Sequence, residues 1–481
     1  MPGKSSSPAV AIEALESRQM LSGAAPTALV AAPGPDGSVF LSWCDNSAAN
    51  RAYVVEQRTR PGDRWDRTAV LDGDATMHMA EGLTPGARYY FRVRALEKTG
   101  ANASNIAAAT PHGLRNRSTQ VVFDGPITIT RGGTYSGNWE SNDARIPAVR
   151  IRTNEPVIIE NSIIRSRSSC IDAYGYKVNL TVRNTSGYGL NPNRKGYYVG
   201  RFLDIDGFVN LEVYNNYMEN TSGIYVYAYY GNRTSKQTVK VMYNVCKNVD
   251  GRYSLGVNKW MKGAPDPDYY RQFFQINGVK NLVGAEVAWN QIINEPGNSR
   301  VEENINIHAT TGTAGSPFLI HDNYIQGAYP ANAVDARTYT GGGIMLSDNG
   351  SSYLRAYNNQ IVNTGHVGIT TTSGHDNWYY NNRVVCNALN PDGSKMPSSN
   401  VGAVIWNFNS ESTFRNNRGT NNLIGWINSD GQRNDWWVPD AAAWSGNRNW
   451  PGNITKATIL NEWQVWQNKL ASRGIQLGPQ P

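Results

Sequence analysis

Three similar stretches of this chain of 481 residues indicate its fold: EVYNNYMEN (212–220), KVMYNVCKN (240–248) and EVAWNQIIN (286–294). Each joins two short β-forming runs through an asparagine. The phrase returns as VIIENSII (157–164), TVRNTS (181–186), LIHDNYI (319–325), RAYNNQIVN (355–363), WYYNNRVV (378–385) and TFRNNR (413–418). Its asparagines are Asn161, Asn184, Asn216, Asn244, Asn290, Asn323, Asn359, Asn382 and Asn417. Their unequal spacing is typical of a solenoid whose coils share one cross-section and differ in their loops.

The stacking of coils explains why asparagine recurs in each phrase. Coils of a parallel β-solenoid follow one another at about 4.8 Å, the spacing of paired strands. A side-chain amide at the same corner of each coil then donates to one neighbour and accepts from the other, and asparagine tolerates the left-handed backbone of a tight corner. We therefore expect Asn216, Asn244, Asn290, Asn323 and Asn359 to stack at one corner. The alternative is that asparagine only marks ordinary turns.

One further strand lies between successive corner phrases. We predict these strands at AVRI (148–151), CIDAYG (170–175), RFLDIDG (201–207), GIYVYAYYG (223–231), FFQINGV (273–279), VEENINIHA (301–309), GIMLSD (343–348), HVGITTT (366–372), AVIWNF (403–408) and LIGWI (423–427). Most alternate in polarity, so their outward residues form columns across the coils. One predicted column is Asp172, Asp204, Tyr225, Gln275, Asn306 and Met345, and the next is Tyr174, Asp206, Tyr227, Asn277, His308, Ser347, Thr370 and Trp406. A slip of one residue would turn a strand to the other face.

On these phrases, residues 117–440 resemble a right-handed parallel β-helix, the fold of pectate lyases and polygalacturonases. The catalytic motifs of those enzymes are incomplete here. Arg145, Pro147 and Arg150 fit the Arg-x-Pro-x-x-Arg pattern of pectate lyases, but they lie in the first coil. Gly365 and His366 are the only match to the Gly-His strand of polygalacturonases. The resemblance therefore implies the fold and a glycan-binding face more strongly than either activity.

Residues 25–111 resemble a fibronectin type III domain. SVFLSW (38–43), AYVVEQR (52–58) and GLTPGARYYFRVRA (82–95) read as its half-buried strands. Trp43 occupies the place of the core tryptophan of that family, and Tyr89 that of its tyrosine corner. We expect an all-β chain in which this sandwich precedes the β-helix. Such modules are mostly spacers or adaptors.

The two ends of the sequence differ from both domains. Residues 1–24 contain Leu15, Glu16, Arg18 and Leu21 of a Leu-Glu-Pro-Arg-type export motif, with Ser17 in place of its proline. This resemblance implies a secreted or cell-surface protein. Residues 455–475 predict an amphipathic helix that Gly474 ends, and we expect it to cap the open end of the solenoid, where an exposed last coil would be a free sheet edge.

Composition limits the partners. The formal net charge is +7, which suits an anionic polymer such as a uronate or sulfated glycan. The sequence has no lysine and arginine cluster, which disfavours nucleic acid, and no apolar run long enough to span a membrane. The four cysteines form no paired motif and are expected to be free thiols. We expect a monomer.

Aromatic and carboxylate residues converge on the strands from 201 to 309. Tyrosines of GIYVYAYYG would stack on sugar rings, and the long loop at 252–272 would wall the groove. The catalytic candidates are Asp204, Asp206, Glu302, His308 and Arg252. The substrate-binding candidates are Tyr225, Tyr227, Tyr229, Gln275, Asn277, Asn304, Asn306 and Trp260.

These residue types suit polysaccharide cleavage. Two carboxylates one or two coils apart match the acid–base pairs of glycoside hydrolases. A lyase would instead need a base and a cation for the uronate carboxylate, for which Arg201, Lys247, Arg252 and Lys259 are available. Calcium is an option as cofactor, since Asp204, Asp206 and Glu302 carry oxygen ligands. The alternative function is a non-catalytic surface or adhesive scaffold.

Overall fold

The computed structural model describes residues 25–33, 38–46, 52–73, 75–84, 86–97, 100–111, 121–232, 236–261, 271–330 and 341–480. Two compact units divide the chain, one spanning residues 1–113 and the other 114–481. The export segment predicted at 1–24 lies outside the described residues.

The first unit is a β-sandwich. Its strands are β1 (Thr27–Pro33), β2 (Val39–Cys44), β3 (Ala52–Arg58), β4 (Asp66–Asp72), β5 (Met77–Ala80), β6 (Tyr89–Glu97), β7 (Gly100–Ala103) and β8 (Ala107–Ala109). One sheet has the order β1-β2-β5, and the other the order β4-β3-β6-β7 with β8 also paired to β6. Trp43, Phe91 and Val93 are buried between them. The Tyr89 hydroxyl accepts the Thr84 N–H at 3.0 Å, as the predicted tyrosine corner requires. The predicted fibronectin type III fold is confirmed.

The second unit is a stack of short parallel strands with one antiparallel hairpin, β24–β25, outside the stack. In chain order they are β9 (Ile127–Ile129), β10 (Gly133–Tyr135), β11 (Asn138–Ser141), β12 (Val149–Ile151), β13 (Pro156–Glu160), β14 (Ile163–Ser166), β15 (Ile171–Ala173), β16 (Val178–Arg183), β17 (Ser186–Gly189), β18 (Leu203–Ile205), β19 (Phe208–Tyr214), β20 (Tyr217–Glu219), β21 (Ile224–Tyr227), β22 (Val239–Met242), β23 (Val245–Lys247), β24 (Ser254–Gly256), β25 (Lys259–Trp260), β26 (Phe274–Asn277), β27 (Glu286–Ala288), β28 (Gln291–Ile293), β29 (Glu303–His308), β30 (Phe318–His321), β31 (Tyr324–Gln326), β32 (Gly342–Asp348), β33 (Leu354–Tyr357), β34 (Gln360–Val362), β35 (Val367–Thr371), β36 (Trp378–Tyr380), β37 (Arg383–Cys386), β38 (Val401–Ile405), β39 (Arg418–Thr420), β40 (Leu423–Trp426), β41 (Trp436–Trp437), β42 (Trp444–Ser445) and β43 (Arg448–Asn449). A 3-10 helix, Ala441–Ala443, precedes β42.

Among the described residues, three parallel sheets of 11 strands each make a β-helix of eleven coils. Sheet 1 is β9-β12-β15-β18-β21-β26-β29-β32-β35-β38-β41, sheet 2 is β10-β13-β16-β19-β22-β27-β30-β33-β36-β39-β42, and sheet 3 is β11-β14-β17-β20-β23-β28-β31-β34-β37-β40-β43. Inward side chains stack along the axis: Ile205, Val226, Ile276 and Ile307 are in register on successive strands of sheet 1 and have no exposed surface. The fold expected from the asparagine phrases is confirmed, with one strand reassigned: LIGWI at 423–427 belongs to sheet 3, and β41 occupies its predicted place.

An asparagine ladder runs along the corner between sheets 2 and 3. The Nδ2 atoms of Asn216, Asn244, Asn290 and Asn323 each donate to Oδ1 of the next asparagine, at 2.9 to 3.0 Å. Asn359 and Asn382 continue the chain, and Asn422 and Asn447 extend it. Each Nδ2 also donates to a carbonyl of the preceding coil, so the buried amides are fully paired. The stacking predicted for these asparagines is confirmed.

Three of the predicted corner asparagines have other positions. Asn161 and Asn184 have positive φ and stand one residue before the ladder position, which Ser162 and Thr185 occupy in their coils. Asn417 lies on the corner between sheets 1 and 2, where its Oδ1 accepts the Asn377 N–H at 3.2 Å. The sequence phrase alone does not distinguish the ladder position from these other corner positions, because each corner needs a side chain that hydrogen-bonds to a neighbouring coil.

The C-terminal helix α1 (Lys456–Arg473) has Thr455 as its N-cap and ends at Gly474, whose φ of 62° is left-handed. It packs along the flank of sheet 3 rather than over the end of the solenoid. Glu462 contacts Gln360 of β34 and Arg383 of β37, while Trp466 donates to Gln291 of β28. Within the described part of the chain, no helix has the length and apolarity to cross a membrane.

Candidate functional site

The outer face of sheet 1 carries two polar columns. In the first, Asp204, Tyr225, Gln275 and Asn306 are in register on β18, β21, β26 and β29. In the second, Tyr227, Asn277 and His308 are in register on the last three of these strands. Because adjacent strands lie about 4.8 Å apart, Asp204 and Asn306 are separated by about 14 Å. The predicted residues therefore share one face but form two groups.

The densest chemistry runs along β29 and the end of β32, and we call Glu302, Glu303, Asn306, His308 and Asp348 the acidic cluster. The Nε2 atom of Gln272 donates to the Glu302 carboxylate at 2.6 Å. Asn306 donates from Nδ2 to Glu303 at 3.3 Å and also hydrogen-bonds to Asp348. Two oxygens bonded to one amide nitrogen lie at most about 6 Å apart. Polar contacts thus join carboxyl groups on two neighbouring coils.

Burial and mutual repulsion set the protonation of this cluster. Burial first, and then the adjacent Glu303 carboxyl, raise the pKa of Glu302 far above its ordinary value, while Gln272 opposes the shift. Burial also raises the pKa of Asp348, against the influence of His308 and Asn306. Two carboxyl groups in contact cannot both ionise readily, so a proton is retained on the Glu302 and Glu303 pair at neutral pH.

His308 lies in the second column, between Asn277 and Asp348. Its Nδ1 lies 2.9 Å from Oδ1 of Asn277, and its Nε2 lies 4.0 Å from the Asp348 carboxylate. Because Oδ1 of Asn277 can only accept, Nδ1 carries the hydrogen, and Nε2 is directed towards Asp348. Buried acceptors remain at Oδ1 of Asn306 and Oε1 of Gln272, neither of which has a hydrogen-bond partner among the described residues.

The second group lies two to three coils away. The Arg201 guanidinium stacks 4.8 Å from the Tyr225 ring, and its Nη1 donates to the Ser222 carbonyl at 3.2 Å. Asp204 accepts the Ser169 hydroxyl at 3.4 Å. Tyr227, which is 42% exposed, presents a ring to solvent beside them. This group offers an aromatic and hydrogen-bonding surface, separated from the carboxyl pair at Glu302.

Arg252 and Trp260 have a structural role instead of the predicted substrate contacts. Arg252 donates from Nε and Nη2 to the buried Asp250 carboxylate at 2.9 and 2.8 Å. Its guanidinium stacks 4.4 Å from the Trp260 ring, across the β24–β25 hairpin. With its donors engaged, Arg252 is not available to a uronate. The remainder of the predicted wall, residues 262–270, lies outside the described residues.

Two predicted binding residues point inward. Asn304 has no exposed surface, since its Nδ2 donates to the Gly327 and Gly342 carbonyls at the corner between sheets 3 and 1. Tyr229 follows the end of β21, where Ala228 has a positive φ, and its hydroxyl donates to the Gln237 carbonyl at 2.7 Å. Simple alternation failed at Tyr229 because β21 ends at Tyr227, four residues before its predicted end, and at Asn304 because β29 begins at Glu303, two residues after its predicted start.

A register shift between β29 and β32 changes the second column. His308 faces Asp348 rather than Ser347, and Ser347 is buried and paired to Thr371. Thr370 stands in the first column, opposite Met345. The sequence signal that was missed is the pair Glu302 and Glu303: two adjacent glutamates at the start of an otherwise amide-rich strand can converge only where the backbone turns a corner.

Calcium finds no site at the predicted place. Asp204 and Asp206 belong to the coil of β18, and Glu302 to that of β29, three coils away. A calcium ion binds oxygens at 2.3–2.6 Å and cannot bridge that separation. Within the described ranges, no group of three or more histidine, cysteine, aspartate or glutamate residues is placed to hold a metal ion.

No model of a known protein family matches the sequence. Solved structures show only local likeness. A fibronectin type III-like protein from Clostridium thermocellum is 23% identical and matches 18% of this chain and 94% of its own, with a TM-score of 0.16. Domains A168–A170 of titin are 23% identical over 18% of this chain and 32% of theirs, with a TM-score of 0.17. The twitchin kinase region from C. elegans is 26% identical over 19% and 17%, with a TM-score of 0.17. The fold assignment therefore depends on strand order and core residues.

Proposed function

We propose that this protein is an exported carbohydrate-active enzyme that cleaves an extracellular polysaccharide by acid–base catalysis on the outer face of sheet 1. The observation that supports this most is the acidic cluster, in which burial and the adjacent Glu303 carboxyl raise the pKa of Glu302 and a further carboxyl group, Asp348, lies on the next coil. A protonated carboxyl near a carboxylate is the arrangement that glycoside hydrolysis uses.

The chemistry divides between these groups. Glu302 donates its proton to the glycosidic oxygen as the bond from that oxygen to the anomeric carbon breaks. Asp348, held by Asn306 and facing His308, takes a proton from the water that attacks the anomeric carbon, or stabilises the positive charge there. Gln272 orients Glu302 through its 2.6 Å contact.

Hydrolysis has better support than β-elimination. A lyase needs a cation against the uronate carboxylate, and the groups that shift the pKa values of Glu302 and Asp348 are other carboxyls, amides and His308. Of the cations named from the sequence, Arg252 is paired with Asp250, and Lys247 lies 3.7 Å from Glu219. A uronate at the scissile bond would face three carboxyl groups, so an uncharged sugar is favoured there.

The remaining parts of the proposal follow from this site. Tyr225 and Tyr227 would bind sugar rings two coils from the acid, so the substrate is a chain rather than a disaccharide. A soluble polymer of this kind is met outside the cell, in agreement with the export motif predicted at 1–24. The fibronectin type III unit would then act as a spacer or adaptor.

A panel of neutral, uronic and sulfated polysaccharides tests the proposal. New reducing ends without unsaturated products would support hydrolysis, and unsaturated products absorbing in the ultraviolet would assign a lyase instead. Glu212→Gln, a conservative change on the outer face of sheet 2, serves as the matched control for Glu302→Gln. Binding without cleavage of any polymer would leave the scaffold alternative, in which the same face serves adhesion.

A further inference from the structure

The last coils of sheet 1 carry an exposed aromatic surface that the proposed cleavage site does not use. The Trp406 and Trp437 rings stack at 5.0 Å with an interplanar angle of 23°, and Phe408 packs edge-on against Trp437 at 5.9 Å. The exposed fractions are 38% for Trp406, 54% for Phe408 and 46% for Trp437. Exposure of aromatic rings to water is unfavourable, so three of them clustered at the surface indicate a ligand-binding site.

A pocket of about 540 Å³ adjoins Trp406 at the corner between sheets 1 and 2. The Arg415 and Arg418 side chains line it, together with Asn407, and both arginines are exposed. Within the described residues neither arginine forms an ion pair. Asp440, the one carboxylate of the lining, accepts the Ala442 N–H at 2.9 Å as the cap of the 3-10 helix. The pocket is therefore cationic.

Trp437 lies on the same sheet as the acidic cluster, and the Met345, Thr370 and Val404 side chains between them are buried. Trp437 stands in the first polar column, since Asn306, Met345, Thr370, Val404 and Trp437 are in register on β29, β32, β35, β38 and β41. Four strand spacings of about 4.8 Å place it about 19 Å from the acidic cluster. A polymer lying along the coils would reach both places.

We infer that Trp406, Trp437, Arg415 and Arg418 form a distal subsite for an acidic sugar residue of the polysaccharide. The indole faces bind the apolar face of the sugar ring, and the guanidinium groups bind its carboxylate or sulfate through charge-assisted hydrogen bonds. This rests on the proposed function and adds the class of substrate: a chain with an uncharged sugar at the scissile bond and an acidic sugar several residues away. An acidic polymer would also be attracted by the net positive charge of the chain.

Affinity for polymers tests this subsite separately from cleavage. The full chain carrying Glu302→Gln is titrated with polygalacturonate, a sulfated glycan and a neutral glucan. One acidic polymer is expected to bind more tightly than the neutral one, and more weakly as salt rises. Tighter binding of polygalacturonate assigns a carboxylate, and tighter binding of the sulfated glycan assigns a sulfate. Equal affinity for all three polymers, or none for the acidic ones, overturns the subsite.

Substitutions locate the binding. Arg415→Ala and Arg418→Ala should each weaken binding of the acidic polymer on the order of tenfold, since each removes a charge-assisted bond. Trp406→Ala should have a similar effect, and Trp406→Phe should restore most of the affinity. Arg131→Ala, which removes an exposed guanidinium at the other end of the solenoid, is the control. Equal losses for Arg131→Ala and Arg415→Ala would overturn the assignment.

The two proposals fail differently. Cleavage by the unmodified chain combined with no preference for acidic polymers overturns the distal subsite alone. Retention of an acidic polymer that weakens in Arg415→Ala, combined with no cleavage, overturns the proposed enzyme while supporting the subsite.

Discussion

Glu302 and Glu462 are glutamates removed from water on different flanks of the same solenoid, and their charges are compensated in different ways. Glu462, with no exposed surface, accepts from Arg383 at 2.6 and 2.8 Å and from Gln360 at 2.9 Å. Glu302 has Gln272 and a second carboxyl, Glu303, as its neighbours. The ion pair on the helix flank stabilises packing, whereas the retained proton on sheet 1 is available for chemistry.

The largest expected effect is on catalysis. Glu302→Gln keeps the shape and the contact to Gln272 but removes the transferable proton, so the rate of polysaccharide cleavage should fall by about 10²- to 10⁴-fold. Initial rates of reducing-end release measure it, and the melting temperature should not fall. Glu212→Gln, on the outer face of sheet 2, is the control. A Glu302→Gln protein that cleaves at the unmodified rate would remove Glu302 from the mechanism.

The second largest expected effect is on the stability of the packing between α1 and sheet 3. Glu462→Ala should lower the free energy of unfolding by about 3–5 kcal/mol, because it leaves Arg383 and Gln360 without their acceptor. Urea denaturation measures the loss. Asn461→Ala, an exposed change on the same helix, should alter stability by less than about 0.5 kcal/mol. If the two variants unfold at the same urea concentration, the ion pair does not hold the helix in place.

A smaller loss of folding stability is expected for substitutions in the asparagine ladder. Asn290→Ala removes bonds to Asn244, Asn323 and the Val241 carbonyl, and should cost about 1–3 kcal/mol because buried groups are left unpaired. Asn447→Ala, at the partly exposed end of the ladder, should cost less, since water replaces the lost amide. Thermal unfolding of both variants measures the difference. Equal losses would mean that burial does not decide the strength of the ladder.

The smallest effect is in the pH dependence of stability. The pKa of Glu302 is raised in the folded state, so the folded protein binds more protons than the unfolded chain above about pH 4.3, and stability falls as pH rises. The slope attributable to Glu302 is at most about 1.4 kcal/mol per pH unit. His321, whose pKa is also raised, contributes a loss of the same sign. Unfolding curves of Glu302→Gln subtracted from those of the unmodified chain isolate Glu302, and identical slopes would refute its raised pKa.

The repeat made the fold predictable, and the departures from the repeat hid the site. Asn216 and Asn290 stand in similar phrases because each coil imposes the same geometry on them. Glu303 and Asp348 follow no period: the first lies at a corner, and the second reaches the face through a register shift that alternation cannot anticipate. Arg252 was misassigned because a sequence shows a cation in a long loop but not the Asp250 carboxylate folded against it.

The path of the C-terminal segment has a consequence for how the molecule is made. After α1, Gly478 donates to the Tyr243 carbonyl and Gln480 to the Asn184 side chain, 296 residues earlier in the chain. Coils built only on their neighbours can form one by one as they leave the ribosome. The seam beside sheet 3 is different, because residues 456–480 must be synthesised before it closes. The coils that contain Asn184 and Tyr243 therefore fold before their C-terminal hydrogen-bond partners are available. We expect docking of the C-terminal segment along this seam to be a late, slow step of folding.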